Sequence, residues 1–108
     1  MKTTSYKISK ELEILGFKDL ENASVRVEQH KGFYNCYYLE TILDALPKSI
    51  ENLKLILDME TRDIYYMSII KTEYSYCEFQ ELKQKGESLA DTAARLLITL
   101  IKDKIVEL

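Results

Sequence analysis

His30 is the only histidine in the chain, and it lies shortly before one of two cysteines, Cys36; the other, Cys77, stands far downstream. A Cys–His pair is the raw material of nucleophilic catalysis, in which the imidazole takes the thiol proton and the thiolate attacks. That chemistry needs the two groups within hydrogen-bond reach, plus a third group to orient the ring. Here His30 falls in a turn and Cys36 in a strand-like run, and a solvated turn histidine is the favoured reading. Zinc is disfavoured as well, because one histidine and two separated cysteines lack paired-ligand spacing. With neither a CxxC pair nor a secreted-domain framework, both thiols are expected to be free and mostly buried. Asp58, Glu60 and Asp63 could hold a divalent cation only if three or more oxygens converged, and Arg62 competes with the cation from among them. No two carboxylates stand out as general acid and base. Gly16, Gly32 and Gly86 are scattered, so there is no phosphate-cradling loop. No catalytic residue, metal or cofactor is assigned.

The unusual chemistry is aromatic. Tyr34, Tyr37, Tyr38, Tyr65, Tyr66, Tyr74 and Tyr76 all fall in strand-like runs, where tyrosine is a good structural residue and also a common interface residue. Single-stranded nucleic acid is another target for such rings, but stacking residues need a basic groove beside them. The net charge is −3, and Lys7, Lys10, Lys18, Lys48 and Lys54 are dispersed, so nucleic-acid binding is disfavoured.

The elements that must position these residues can be read from periodicity. At 108 residues, 46% apolar and 31% charged, the chain suits one α+β domain spanning residues 1–108 with a sizeable core. The most decided stretch is Gly86–Lys102. Ser88 followed by Asp91 makes a short-acid capping box, so a helix starts at Leu89. Its apolar residues, from Leu89 through Ile105, fill an arc of roughly 200°, wider than a surface stripe. Lys104 points into that arc, where it can snorkel. This is a core helix.

Upstream, Ile8, Leu12 and Leu15 line a first short helix that Gly16 stops. Val25 and Val27 alternate with Arg26 and Glu28 as in a half-buried strand, and Phe33–Tyr38 makes a second strand after a turn containing Gly32. Leu39, Ile42, Leu43 and Leu46 form a second helix, ended by Pro47. Asn52–Met59, Ile64–Ile70 and Tyr74–Leu82 then read as three antiparallel strands. The order is α-β-β-α-β-β-β-α, which argues a small antiparallel sheet with helices on one face.

The pattern GxSLADxxAxLLIxLI, with Leu89, Ala90 and Asp91 at its centre, resembles a group of small phage- and prophage-encoded proteins of uncharacterised function. The resemblance also takes in the segment ending Ala45-Leu46-Pro47. It implies a last helix packed on a small antiparallel sheet, and it supplies no site residues.

The Ile64–Leu82 hairpin admits two registers. An even loop pairs Ile70 with Ser75 and turns Tyr65, Met67, Ile69, Tyr74 and Tyr76 outward. An odd loop, with Ile70 opposite Tyr74, turns out Ile64, Tyr66, Ile70, Tyr74 and Tyr76 instead. The first set is the candidate interface. A patch of this size is larger than a soluble monomer usually leaves in water. Either the first helix or the Val25–Tyr38 hairpin folds over it, or a partner covers it, and a homodimer is the preferred partner. The leading expectation is therefore a non-enzymatic interaction module of a mobile element. A small enzyme using Cys36 or Cys77 with His30, and a single-strand nucleic-acid binder, stand as the alternatives. The N-terminus has no secretory pattern and no apolar run approaches a membrane span, so a soluble cytoplasmic protein is expected.

Overall fold

The helix α3, Leu89–Lys102, is the element on which the others converge. It is known here from a computed structural model that describes residues 3–28, 32–51, 53–58, 60, 63–68, 77–81 and 88–108. Ser88 caps α3 as its type demands: the hydroxyl accepts from the Asp91 N–H at 3.2 Å, which satisfies one of the orphan donors of the first turn. Leu96, Leu97 and Leu100 are wholly buried, as are Ala90, Ala93 and Ala94. Small residues on one flank let neighbouring elements approach the helix closely, while the leucines fill the space between layers.

The remaining elements are α1 (Tyr6–Ile14), β1 (Ala23–Glu28), β2 (Gly32–Tyr37), α2 (Leu39–Ala45), β3 (Ser49–Ile50), β4 (Leu53–Asp58), β5 (Asp63–Ser68) and β6 (Cys77–Glu81). A single 3-10 turn, Leu20–Asn22, leads into β1. The expected order of helices and strands is present, with the two-residue β3 as an addition. The fold is α+β, and all strand pairing is antiparallel. The strands divide into two sheets, a β1–β2 ribbon and a four-stranded sheet in the order β3-β4-β5-β6. α3 lies on β5 and β6, α1 and α2 pack against α3, and α1 also covers part of β2.

In the larger sheet Leu53, Leu55 and Leu57 pair with Ser68, Tyr66 and Ile64, so Leu53, Leu55, Leu57, Ile64 and Tyr66 share a face. Ile64 and Tyr66 are wholly buried, which identifies it as the face beneath α3. Between β5 and β6 the register joins Ile64 to Glu81 and Tyr66 to Phe79, then shifts so that Met67 meets Cys77. The hairpin therefore begins in the even register and passes through a bulge into the odd one. A bulge of this kind adds one residue to one strand and increases the local twist.

Both α1 and α3 end in the same motif. Phe17 N–H bonds the Leu12 carbonyl and Gly16 N–H that of Glu13, each at 3.0 Å; Ile105 and Lys104 repeat the pattern onto Leu100 and Ile101 at 2.9 and 3.0 Å. These are Schellman motifs, whose turning residue must be left-handed. Gly16 takes φ +97° and Lys104 takes φ +60°. Lys104 thus stands beyond the helix, where it turns the chain, instead of pointing into the apolar arc as its position in the periodic pattern suggests. Ile105 likewise lies outside α3, 36% exposed.

Among the described residues, no helix is long and apolar enough to cross a membrane.

Candidate functional site

The reactive residues are mostly put to structural use. Cys36 is a free thiol, 1% exposed, and its Sγ donates to the Ser24 carbonyl across the ribbon at 3.3 Å. His30 lies outside the described residues, and so does the Cys36–His30 pairing. Cys77 is placed only through its backbone, opposite Met67. Asp58 accepts from the Glu60 N–H at 2.9 Å, which closes the turn between β4 and β5 in the manner of an Asx turn. Arg62 lies outside the described residues. Among those described, no three His, Cys, Asp or Glu residues are grouped so as to hold a metal ion.

A polar cluster links the N-terminal ends of α1 and α3. Asp91, in the first turn of α3 and 9% exposed, accepts from the backbone N–H of Ser5, the N-cap of α1, at 2.7 Å. Its carboxylate so meets the positive ends of two helices. Thr4 Oγ1 shares a 2.7 Å hydrogen bond with Ser9 Oγ and accepts from the Tyr37 N–H at 2.9 Å. Thr92 is wholly buried and donates to the Ser88 carbonyl. These bonds pin the segment before α1 to β2 on one side and to α3 on the other, which is a fastening rather than a reaction centre.

The tyrosines divide by depth. Tyr66 is buried, its hydroxyl donating to the Pro47 carbonyl at 2.5 Å, and burial pushes its pKa up to about 12. Tyr37 sets its ring edge against Phe17 with centroids 4.9 Å apart. Its pKa is raised by burial first, then by Glu13, Asp19 and Cys36 nearby. Tyr34, also buried, packs edge-on to Tyr6. These rings are core residues.

Of the expected interface, Tyr65 and Met67 do lie on the outer face of the larger sheet, half-buried; Ile69, Tyr74 and Tyr76 lie outside the described residues. Ile56 pairs with Tyr65 and Lys54 with Met67, while Asp58 faces Asp63. This makes a short apolar row with charged ends. Neither α1 nor the ribbon forms its main contacts there, since α1 packs on β2 and α3.

The more exposed apolar surface lies on the ribbon, where the alternation of Val25 and Val27 was expected to belong to a half-buried strand. Val25, Val27 and Phe33 are 64%, 60% and 76% exposed. Val27 pairs with Phe33 and Ala23 with Tyr37, so all share one face of the ribbon. Only the base of that face, Ala23 and Tyr37, reaches the core; farther out, the three apolar side chains stand in the open. Alternation along β1 reveals that a strand has an apolar face, but not whether any layer lies over it. The brevity of the hairpin, two short strands followed at once by a helix, was the available signal.

An open furrow of about 330 Å³ between α2 and β4 has Leu43, Leu55 and Leu57 in its wall and Asp44, Lys48 and Lys54 around it; the charges partly offset one another. Comparison with protein-family models, with curated proteins and with solved structures finds no match to this chain.

Proposed function

We propose that the chain is a non-enzymatic interaction module that self-associates, and that the β1–β2 ribbon is the surface it uses. One observation carries this reading: Val25, Val27 and Phe33 are 60–76% exposed on a single face of a regular two-stranded ribbon. Three large apolar side chains side by side form a patch of the kind that marks a contact surface, whereas isolated exposed apolar residues do not. Aromatic residues are among those most enriched at such surfaces, and Phe33 is the most exposed of the three.

A second reading keeps the class and changes the surface. The row of Ile56, Tyr65 and Met67 on the outer face of the larger sheet supports a homodimer formed there, with Lys54, Asp58 and Asp63 as a polar rim. We place the protein in the reducing cytoplasm, to which a buried free thiol at Cys36 is suited. Its setting is a phage or other mobile element, on the strength of the resemblance in residues 86–101.

Sedimentation equilibrium over a wide concentration range tests the reading. The wild type is expected to run as a dimer at high micromolar concentration, and Val25→Ser with Val27→Ser as a folded monomer. Dissociation by Tyr65→Glu, with the ribbon variant still dimeric, would move the interface to the sheet. A wild-type monomer at every concentration would reject both.

A further inference from the structure

The backbone of the ribbon identifies how two copies join. Tyr37 directs both its N–H and its carbonyl away from β1, the first onto Thr4 Oγ1 and the second onto the Thr4 N–H, each at 2.9 Å. Tyr37 pairs with Ala23. In an antiparallel ladder, pairs that exchange hydrogen bonds alternate with pairs that do not. Ser24, Arg26 and Glu28 are therefore the β1 residues bonded to β2, and Ala23, Val25 and Val27 present their N–H and carbonyl groups on the opposite edge. Among the described residues nothing pairs with that edge. Two of the usual protections are missing from this edge: β1 contains no proline, and its register with β2 runs without a bulge from Ala23 to Glu28, which leaves Arg26 and Glu28 as its only charged residues. Natural sheets seldom leave such an edge bare.

We infer that β1 pairs antiparallel with β1 of a second copy about a two-fold axis at Val25, making one four-stranded sheet in the order β2-β1-β1-β2. This rests on the reading of the ribbon as a self-association surface and adds its register and its bonding. Four placements of the axis compete, and with the axis at Ser24 only Ala23 and Val25 bond, about four hydrogen bonds that leave Val27 unpaired. With the axis at Arg26, two arginines stand directly opposite each other, which is destabilising. With the axis at Val27, only Val27 itself finds outward groups to bond within the strand. With the axis at Val25, Val25 bonds Val25 and each Val27 bonds Ala23 of the second copy, about six hydrogen bonds that use every outward group of both edges. Arg26 then faces Ser24, so no like charges oppose each other.

The occupant is a second copy because the strand is complementary to itself in this register. The valines of both copies fall on the same side of the joined sheet, in contact across the axis. The second copy's Val27 is set beside the base of β1, next to the turn that carries Leu20, which is 61% exposed. Stacking two ribbons face to face is the poorer solution. Three side chains of this size offer roughly 300–400 Å² a side, well short of the roughly 800 Å² of a standard interface, and they leave both edges unbonded.

Two measurements test the register. Val25→Pro removes the outward N–H on the axis but no bond to β2, and proline is tolerated on an edge whose N–H faces solvent. It is expected to keep the far-ultraviolet dichroism of the wild type and to weaken dimerisation by roughly tenfold or more. In a Cys77→Ser background, Val25→Cys is expected to form an intermolecular disulfide on mild oxidation, since paired Cα atoms on the axis are ~5.5 Å apart. Val27→Cys is not, because its symmetry mate is ~13 Å away along the strand. If Val25→Pro fails to fold, the disulfide comparison decides alone. Dimers that survive Val25→Pro, or that cross-link through residue 27 in preference to 25, overturn the register while self-association stands. A wild-type monomer overturns both.

Discussion

The two sheets of this protein use similar residues to opposite ends. In the larger sheet Ile64 and Tyr66 are wholly buried beneath α3; in the ribbon Val25, Val27 and Phe33 are at least 60% exposed. Local sequence separates them poorly, since β1 alternates apolar and polar residues much as β4 does apart from Ile56, and both sheets pair in antiparallel register. The difference is the layer above: α3 runs across β5 and β6, whereas α1 reaches only part of β2. A strand's pattern specifies a face that can be covered, and the rest of the chain decides whether it is.

Substitutions should expose that contrast, beginning with the covering layer itself. Leu97→Asp puts an unpaired charge among residues with no exposure, a cost of several kcal/mol in a domain stable by about 5–15. The variant should be unfolded at ambient temperature by circular dichroism, and a cooperative melt near that of the wild type would mean that α3 does not seal the sheet.

Ile64→Ala should cost about 2–4 kcal/mol in urea denaturation, as buried large-to-small changes do. Val27→Ala in the monomer should fall within about 0.5 kcal/mol. Equal costs at the two positions would erase the distinction between the sheets.

Tyr66 offers a pH test of the same burial. Its pKa is raised from 10.0 to about 12 in the folded state, so the fold binds that proton more tightly than the unfolded chain does. The resulting stability is fully present below pH 10 and lost as pH climbs from about 10 to 12, up to about 2–3 kcal/mol in all. Tyr66→Phe should lower stability at neutral pH by about 1 kcal/mol, because the Pro47 carbonyl loses its donor. It should also flatten the alkaline limb, and a limb as steep as that of the wild type would assign it to other groups.

The smallest effect concerns the end of the covering helix. Lys104→Gly should raise stability by about 1 kcal/mol, because φ +60° is strained for a side chain with a Cβ and free for glycine. No gain in the melting midpoint would show that the Lys104 side chain makes up for its backbone.

The matching ends of α1 and α3 show what could be read in advance. Gly16 announces a left-handed stop because glycine has few other reasons to stand at the end of a periodic run, and the stop is there. Lys104 makes the same turn without the signal, so its side chain was placed in the helix. Ser88 gave away its helix for a similar reason, since its oxygen bonds a neighbour within the same turn. The strand β3 left no trace: Glu51 turns the chain at φ +51°, where Asn-Gly or Asp-Gly would have advertised a hairpin. The two registers read for β5 and β6 are both realised, one on each side of the bulge, because a count of loop residues cannot anticipate an extra residue within a strand. At the ribbon, Val25 and Val27 were read as one face of a half-buried strand, and Phe33 was given no side. The Asp91 bond to Ser5 spans most of the chain and follows from no local pattern.

That bond bears on how the molecule is made. α1 is joined to α3 by Asp91 at one end and by the Lys102–Glu11 ion pair, 3.1 Å, farther along, yet it is synthesised first. A nine-residue helix is too short to persist in water by itself. It must wait for its partner to leave the ribosome, at ~5–20 residues per second a delay of several seconds. Contacts this distant in sequence also impose a loop-closure cost before they return any stability. In the interval, Ile8 and Leu12 have no helix to pack against, and the ribbon edge can meet other nascent copies before the core that anchors it has closed.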